Sequence, residues 1–259
     1  MIAALLALVS FVAGIFSAIT GGTSLVTVPV MMVAGMSTPT AVATNMLVVT
    51  SLSLGAMTRF HSARVVPKSP TRGLIAASVP GSILGAWLAV WMSELVLRSI
   101  IAMALVAMTV LLAVQPKVTA AGRRSRAVRV AGYAVLAFWA VYGGMFSGGY
   151  ATVLTLACSG FFGLSLVESV AVAKVVNFAG SLSAVVVFAA KGCIQWDVGL
   201  GMSATALLGG WVGAHLALRW GPQTVRRILF VAVAGLATKM TYDAGRRWLT
   251  RTSEQGDQG

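Results

Sequence analysis

Long apolar runs separated by short polar turns dominate the chain. Two of these runs, Ile2–Ala34 and Val130–Phe162, are about 33 residues long, whereas one helical crossing of a membrane needs roughly 20. Each is interrupted by glycine and hydroxyl residues, at Gly21-Gly22 in the first run and at Gly143–Gly149 in the second. Glycine readily leaves the helical conformation, and hydroxyl groups can satisfy the freed backbone. The pattern therefore predicts two broken helices.

The other apolar runs have the length of single crossings. They are Thr40–Thr58, Gly73–Met92, Leu95–Val114, Ser165–Ala190, Val198–Ala217 and Val225–Tyr242. None of the runs alternates between apolar and polar residues as barrel strands do. The sequence thus predicts an all-α membrane protein with about eight transmembrane elements.

Composition agrees with this class. Hydrophobic residues make up 58% of the chain and charged residues only 10%, whereas soluble domains carry roughly 25% charged residues. The formal net charge of +13 is typical of basic cytoplasmic loops rather than of nucleic-acid binding, and it is compatible with an anionic substrate. Cys158 and Cys193 are far apart, so we expect no disulfide framework, metal site or cofactor.

Short matches between the two halves indicate an internal duplication. Ala41-Val42-Ala43 recurs as Ala171-Val172-Ala173, Ser51-Leu52-Ser53 as Ser181-Leu182-Ser183, Gly85-Ala86 as Gly213-Ala214, and Arg98-x-Ile100 as Arg226-x-Ile228. The first two pairs lie 130 positions apart and the last two 128. Matches in the same order with a nearly constant offset predict two four-element repeats, a common architecture of secondary transporters.

The duplication sets the predicted domain limits. They are a first repeat at 1–115, a basic linker at 116–129, a second repeat at 130–242 and a polar tail at 243–259. Most Lys and Arg residues lie in the loop 59–72, in the linker and in the tail, which favours both termini on the cytoplasmic side of a bacterial inner membrane. We interpret the first apolar run as a retained membrane segment and not as a signal peptide. The chain is also compatible with assembly as a homodimer.

The two interruptions are the first candidate site. A helix that restarts after Gly22 presents free N–H groups and a positive dipole end to the gap, which suits an anion. The candidate residues are Thr20, Gly21, Gly22, Thr23 and Ser24 in the first half, and Ser147, Gly148 and Gly149 in the second. Close helix packing through small residues is the alternative, but two interruptions at equivalent places favour a transport site.

Lys174 is the sharpest single candidate, because a lysine inside an apolar run is expensive and usually functional. The alternative is a lysine that extends its charge to the membrane surface. Its counterpart in the first half is Thr44, which Asn45 follows. Asn45 and Asn177 either face the same substrate cavity or form hydrogen bonds between helices.

Two further titratable residues are candidates for proton coupling. Glu168 lies near the start of the helix that carries Lys174, where it either stabilises the helix N-terminus or carries protons. His215 interrupts an apolar helix face and either packs there or takes part in transport. Ser147 with His215 also suggests an intramembrane hydrolase with a Ser/His pair, and a small-anion channel is the other rival to a transporter.

Several motifs resemble the N-terminal signature of the TauE/SafE sulfite-exporter family. They are Gly21-Gly22, Val28-Pro29, Gly35 and Ala41-Val42-Ala43-Thr44-Asn45, with similar positions at Gly148-Gly149, Gly85 and Gly213. The resemblance covers nearly the whole chain. It implies transport of sulfite, sulfonates or related organosulfur anions, with proton coupling.

Two departures from the family pattern bear on the substrate. The first interruption reads Thr20-Gly21-Gly22-Thr23, where family members often have three glycines. The second half has Lys174-Val175-Val176-Asn177, where a run of the Ala-Thr-Ser type is common. The resemblance therefore implies that Lys174 adjusts substrate choice in this member.

Overall fold

The computed structural model describes residues 2–114, 122, 124–221 and 224. The helices in these ranges are α1 (Ile2–Thr20), α2 (Ser24–Val33), α3 (Thr38–Ser62), α4 (Lys68–Trp91), α5 (Glu94–Val114), α6 (Arg126–Met145), α7 (Tyr150–Phe162), α8 (Leu166–Ala190) and α9 (Trp196–Trp220). The described residues contain no strand, which confirms the all-α prediction. The predicted element Val225–Tyr242 and the tail 243–259 lie outside the described residues.

Local capping explains where several helices begin. Ser37 precedes α3, its side chain accepts a hydrogen bond from the Thr40 N–H at 3.4 Å, and Pro39 lies at the start of the helix. This follows the preference for serine before a helix and proline in its first turn. Ser125 caps α6 in the same way through Val128 N–H. Because α6 begins at Arg126, the end of the predicted linker is helical.

Helices α3 and α8 form the centre of the described bundle. In the described part of the chain, α3, α4, α6 and α8 are long and apolar enough to cross a membrane. Their apolar windows are 72% buried in α3 and 61% in α8, but only 33% in α4 and 28% in α6. The helices that carry Asn45, Lys174 and Asn177 are therefore the ones surrounded by other helices.

Two apolar clusters hold the bundle together. The larger one joins α3 to its neighbours and includes Met46, Leu52 and Met202. The second lies among α4, α6, α7 and α8 and includes Leu136 and Tyr150. All of these side chains are buried, so both clusters belong to the packed interior of the described bundle.

The close approaches between helices follow the same pattern in both halves. Helix α4 packs on α6 and α8, and α9 packs on α1 and α3. A Cβ atom added to certain glycines would collide with the facing helix: Gly81 with Ala137, Gly85 with Val141, Gly209 with Phe11 and Gly213 with Ile15. Small residues four positions apart on one helix allow helix backbones to approach closely. The matched contacts are those expected of a duplication, which remains a prediction.

Candidate functional site

The first interruption separates α1 from α2 over residues 21–23. Gly21 has a φ of 80°, and its N–H donates to the Ser17 carbonyl at 3.0 Å. A Cβ at Gly21 would lie 2.7 Å from the Thr152 nitrogen and 2.8 Å from the Ala151 Cβ. Only glycine adopts this conformation without strain and leaves room for the facing chain.

The second interruption separates α6 from α7 over residues 146–149. Ser147 has a φ of 62° and Gly149 a φ of 80°. A serine in the left-handed region is strained, and such strain is concentrated at functional sites. The Tyr142 hydroxyl donates to the Gly148 carbonyl, so α6 itself holds the interrupted backbone in place.

The two interruptions lie against each other in a crossed arrangement. Gly21 faces Ala151 and Thr152 in the first turn of α7, and the Thr152 hydroxyl donates to the Thr20 carbonyl. A Cβ at Gly148 would in turn lie 2.9 Å from a methyl carbon of Leu25, in the first turn of α2. The N-terminal ends of α2 and α7 therefore meet at the crossing, and each presents a partial positive charge.

Lys174 lies on α8 beside this crossing. Its side chain is 1% exposed, and its ammonium donates to the Ser17 carbonyl in the last turn of α1. The side chain is therefore buried among helices in this structure instead of extending to a solvent-exposed end. A helix C-terminus carries a partial negative charge, which favours a cation at this position.

The two candidate asparagines each bind a hydroxyl cluster next to an interruption. Asn45 donates from Nδ2 to Ser24 Oγ at 2.8 Å and accepts from the Thr27 hydroxyl, which joins α3 to α2. Asn177 donates from Nδ2 to Ser53 Oγ at 2.9 Å.

The Asn177 amide also contacts the second interruption, since its Oδ1 accepts from Ser147 Oγ at 3.4 Å. These contacts are hydrogen bonds between helices, as one of the two interpretations expects. Both asparagines also contact residues at or beside the interruptions, and that they face the same substrate cavity stays a prediction.

The hydroxyls of Thr44 and Thr23 have no described hydrogen bond to another candidate site residue. Thr44 Oγ1 accepts from the Gln195 N–H at 3.0 Å, at the start of α9, so its described contact lies away from Lys174. Thr23 is 3% exposed, and its hydroxyl has no hydrogen-bond partner among the described residues. A buried hydroxyl without a partner is unusual and suits a ligand contact.

Glu168 and His215 have separate partners. The Glu168 carboxylate accepts from the Ser165 N–H at 2.9 Å and from the Ser165 hydroxyl at 2.7 Å, and the two residues form a capping box at the start of α8. His215 Nδ1 accepts from Arg59 Nε at 3.1 Å, and its ring stacks on Trp211. The described contacts do not join His215 to Ser147.

Several contributors to the site are not among the predicted site residues. They are Ser17, Thr27, Ser53 and Tyr142, together with Thr50 and Ser181, whose hydroxyls lie 2.9 Å apart between α3 and α8. Buried hydroxyls are common in membrane helices, where they bond to other helices. A hydroxyl in an apolar run therefore does not reveal its partner.

Comparison with known proteins settles the family. The sequence pattern of the family described as Sulfite exporter TauE/SafE matches residues 6–240. The chain belongs to this TauE/SafE family. It is accordingly a multi-pass membrane transporter, and not an enzyme.

Relatives of this TauE/SafE chain align with it over most of their length. A "Probable membrane transporter protein" of Haemophilus influenzae is 30% identical over 93% of this chain and 95% of its own length. The "Probable membrane transporter protein YfcA" of Escherichia coli K12 is 30% identical over 91% and 88%, respectively. A "Probable membrane transporter protein ORF9" of Sinorhizobium is 27% identical over 93% and 92%. No solved structure matches the chain.

Proposed function

We propose that this TauE/SafE transporter is a secondary carrier of small sulfur-containing anions, such as sulfite or a sulfonate, with proton coupling. The crossing of the two interruptions carries the proposal. Two helix N-termini meet there beside a fully buried lysine, and such half-helix ends are the usual substrate sites of broken-helix transporters. The family description names sulfite export, which supports the choice of substrate class.

The polar side chains at the crossing fit an oxyanion. The Lys174 ammonium has three donors, and its described hydrogen bond to Ser17 uses one of them. Hydroxyls of Thr23 and Ser147 and the amide of Asn177 are buried at or beside the interruptions. Charged hydrogen bonds are roughly twice as strong as neutral ones, so we assign the main anion contact to Lys174.

A panel of ligands tests the proposal. Purified protein is heated with sulfite, thiosulfate, sulfoacetate, taurine or sulfate, because a ligand of the folded state raises its stability by mass action. We expect a sulfur anion to raise the unfolding temperature and, when a proton gradient is imposed, to accumulate in proteoliposomes against its own concentration gradient. Absence of a shift with every compound would contradict the substrate class, and movement only down a gradient would indicate a channel.

The membrane arrangement is part of the same proposal. We propose two parallel four-element repeats, with both termini on the cytoplasmic face of a bacterial inner membrane, and a homodimer as the working assembly. Labelling of single cysteines placed in the loop 59–72 and in the tail 243–259 tests the orientation. Both positions should react only from the cytoplasmic side, and cross-linking in membranes tests the dimer.

A further inference from the structure

The carbonyl end of α1 accepts a hydrogen bond from a buried ammonium group. The last four carbonyls of a helix lack partners within it, and they give this end a partial negative charge. The Ser17 carbonyl accepts from Gly21 N–H and from Lys174, and the Thr20 carbonyl accepts from Thr152. In broken-helix transporters, ends of this kind coordinate the coupling Na⁺ or H⁺. Here the ammonium of Lys174 occupies that position.

The buried charge of Lys174 has no carboxylate beside it among the described residues. Glu94 binds Thr38 and Arg98, and Glu168 binds Ser165. Asp197 lies in the first turn of α9, and none of the described contacts joins it to Lys174. A buried charge without a partner is costly. This energetic cost is removed either when an anion binds beside the ammonium or when Nζ loses a proton.

We propose that Lys174 is the proton-coupling group of the carrier, an inference that rests on the proposed function. The amine is protonated while the anion is bound, and after the anion leaves it gives one proton to water. Because linkage is reciprocal, an anion that binds the protonated form better must also raise proton occupancy. Anion and proton therefore travel in the same direction, and Na⁺ is not required.

No described contact joins Lys174 or the carbonyl end of α1 to any of the other titratable or charged side chains on the helices packed against α8. They are Arg59 and His61 on α3, Lys68 and Arg72 on α4, Arg126, Arg129, Tyr133 and Tyr142 on α6, and Tyr150 and Cys158 on α7. The Tyr142 hydroxyl donates to the Gly148 carbonyl at the second interruption. Helix α1 carries no titratable side chain. On α8 itself, Glu168 is held in its capping box. Lys174 is therefore the described titratable group in contact with the carbonyl end of α1.

Proton uptake on anion binding is the first test. Thiosulfate and sulfoacetate serve as probes, since neither gains nor loses a proton near neutral pH. Each is added to purified wild-type protein in weakly buffered detergent, and a dye reports the pH. We expect binding, seen as a thermal shift, to be accompanied by proton uptake. A thermal shift with no uptake across the neutral range would overturn the coupling role alone. No thermal shift with either probe would overturn the coupling inference, and no shift with any anion of the panel would overturn the proposed function as well.

Charge variants at the same position give the second test. Lys174→Arg keeps a charge that does not dissociate, so we expect it to bind the probes without taking up protons. Lys174→Met should bind them roughly tenfold more weakly or worse. Glu168→Gln and His215→Gln are the matched controls and should retain uptake in Na⁺-free buffer. Proton uptake by Lys174→Arg, its loss in either control, or a requirement for Na⁺ would overturn the inference.

Discussion

At the scale of single residues, backbone geometry at the interruptions decides which glycines matter. Gly21 and Gly22 are adjacent in sequence and look equivalent, but their surroundings differ. Gly21 has a positive φ and faces the α7 backbone, whereas a Cβ at Gly22 would meet only the Leu25 side chain, at 3.4 Å. That separation is an ordinary van der Waals contact. The crossing therefore depends on the first glycine of the pair.

We expect Gly21→Ala to lower the free energy of unfolding by at least about 2 kcal/mol, through left-handed strain and overpacking against α7. Gly22→Ala is the matched control and should change it by less than about 1 kcal/mol. Thermal unfolding in detergent measures both variants, and anion-induced thermal shifts measure binding. Equal stability of the two variants would show that the crossing described at Gly21 is not needed for folding.

Asn177 decides between the two interpretations of the buried amides. Asn177→Ala removes the donor to Ser53 and the acceptor for Ser147, and buried groups left unsatisfied cost about 1–3 kcal/mol. We expect the ligand-free variant to unfold at a lower temperature and to bind the anion more weakly. Asn45→Ala, which disturbs α2 and α3, provides the comparison. Unchanged anion affinity in Asn177→Ala would assign this amide to helix packing alone.

The sequence reveals local features of the site better than its long-range contacts. Gly21-Gly22 and the cap at Ser37 are recognisable because their physical causes lie within a few residues. The partner of Lys174 is a backbone carbonyl at Ser17, and any residue type supplies a carbonyl. Likewise, the left-handed conformation of Ser147 is imposed by its surroundings. Such features depend on packing between distant segments, which spacing in the sequence does not encode.

At the scale of elements, hydrogen bonds join the start of α3 to the start of α5. Glu94 Oε1 accepts from the Thr38 N–H at 3.2 Å and from its hydroxyl at 2.9 Å, and Arg98 binds both residues. The hydrogen bonds from the Thr38 backbone and side chain, followed by the charge of Arg98, hold the pKa of Glu94 below its ordinary value of 4.5. A carboxylate at a helix N-terminus is also favoured by the helix dipole.

The depressed pKa of Glu94 fixes the sign of its pH dependence. The carboxylate stabilises the folded state above the ordinary carboxyl pKa, and this contribution is lost as the pH falls through the lowered value. We therefore expect Glu94→Gln to lower the unfolding temperature at neutral pH and to reduce its fall in acid. Measurements of unfolding temperature against pH for both proteins check this. Parallel curves would mean that this contact does not contribute to the acid sensitivity.

The elements themselves were largely predictable from hydropathy. Apart from Val225–Tyr242, which lies outside the described residues, the apolar runs correspond to described helices, because a membrane crossing requires a continuous apolar segment of known length. Polar residues do not mark where a helix begins, since α6 begins at Arg126 inside the predicted linker 116–129. Ser125 caps that helix, because its side chain accepts a hydrogen bond from the Val128 N–H in the first turn. Arginine is also a good helix former, so its charge marks the membrane limit rather than the helix end.

At the scale of the described bundle, each half contributes the partner that the other half needs. Helix α3 of the first half packs on α9 of the second, and α8 of the second packs on α4 of the first. Lys174 and Thr152 of the second half bind carbonyls at the end of α1. Since these contacts link the halves, a movement of one half against the other would change the site, as alternating access requires.

Matched glycine contacts test this view of the bundle. The missing side chains of Gly81 and Gly209 admit the α6 carbonyl of Ala137 and the α1 carbonyl of Phe11, respectively. We expect Gly81→Ala and Gly209→Ala each to lower the free energy of unfolding by about 1–3 kcal/mol, because a backbone carbonyl cannot yield as a side chain can. Thermal unfolding of the purified variants measures the loss.

Gly201, also on α9, is the matched control for these two variants. A Cβ at Gly201 has nothing within 4 Å, and alanine is favoured over glycine inside a helix by roughly 1 kcal/mol. Gly201→Ala should therefore leave the protein as stable as the wild type or make it more stable. Comparable losses at positions 81 and 209 would support equivalent packing in the two halves. If Gly209→Ala behaved like Gly201→Ala while Gly81→Ala did not, the close approach of α9 to α1 would not match that of α4 to α6, and the case for two structurally equivalent repeats would fail at this contact.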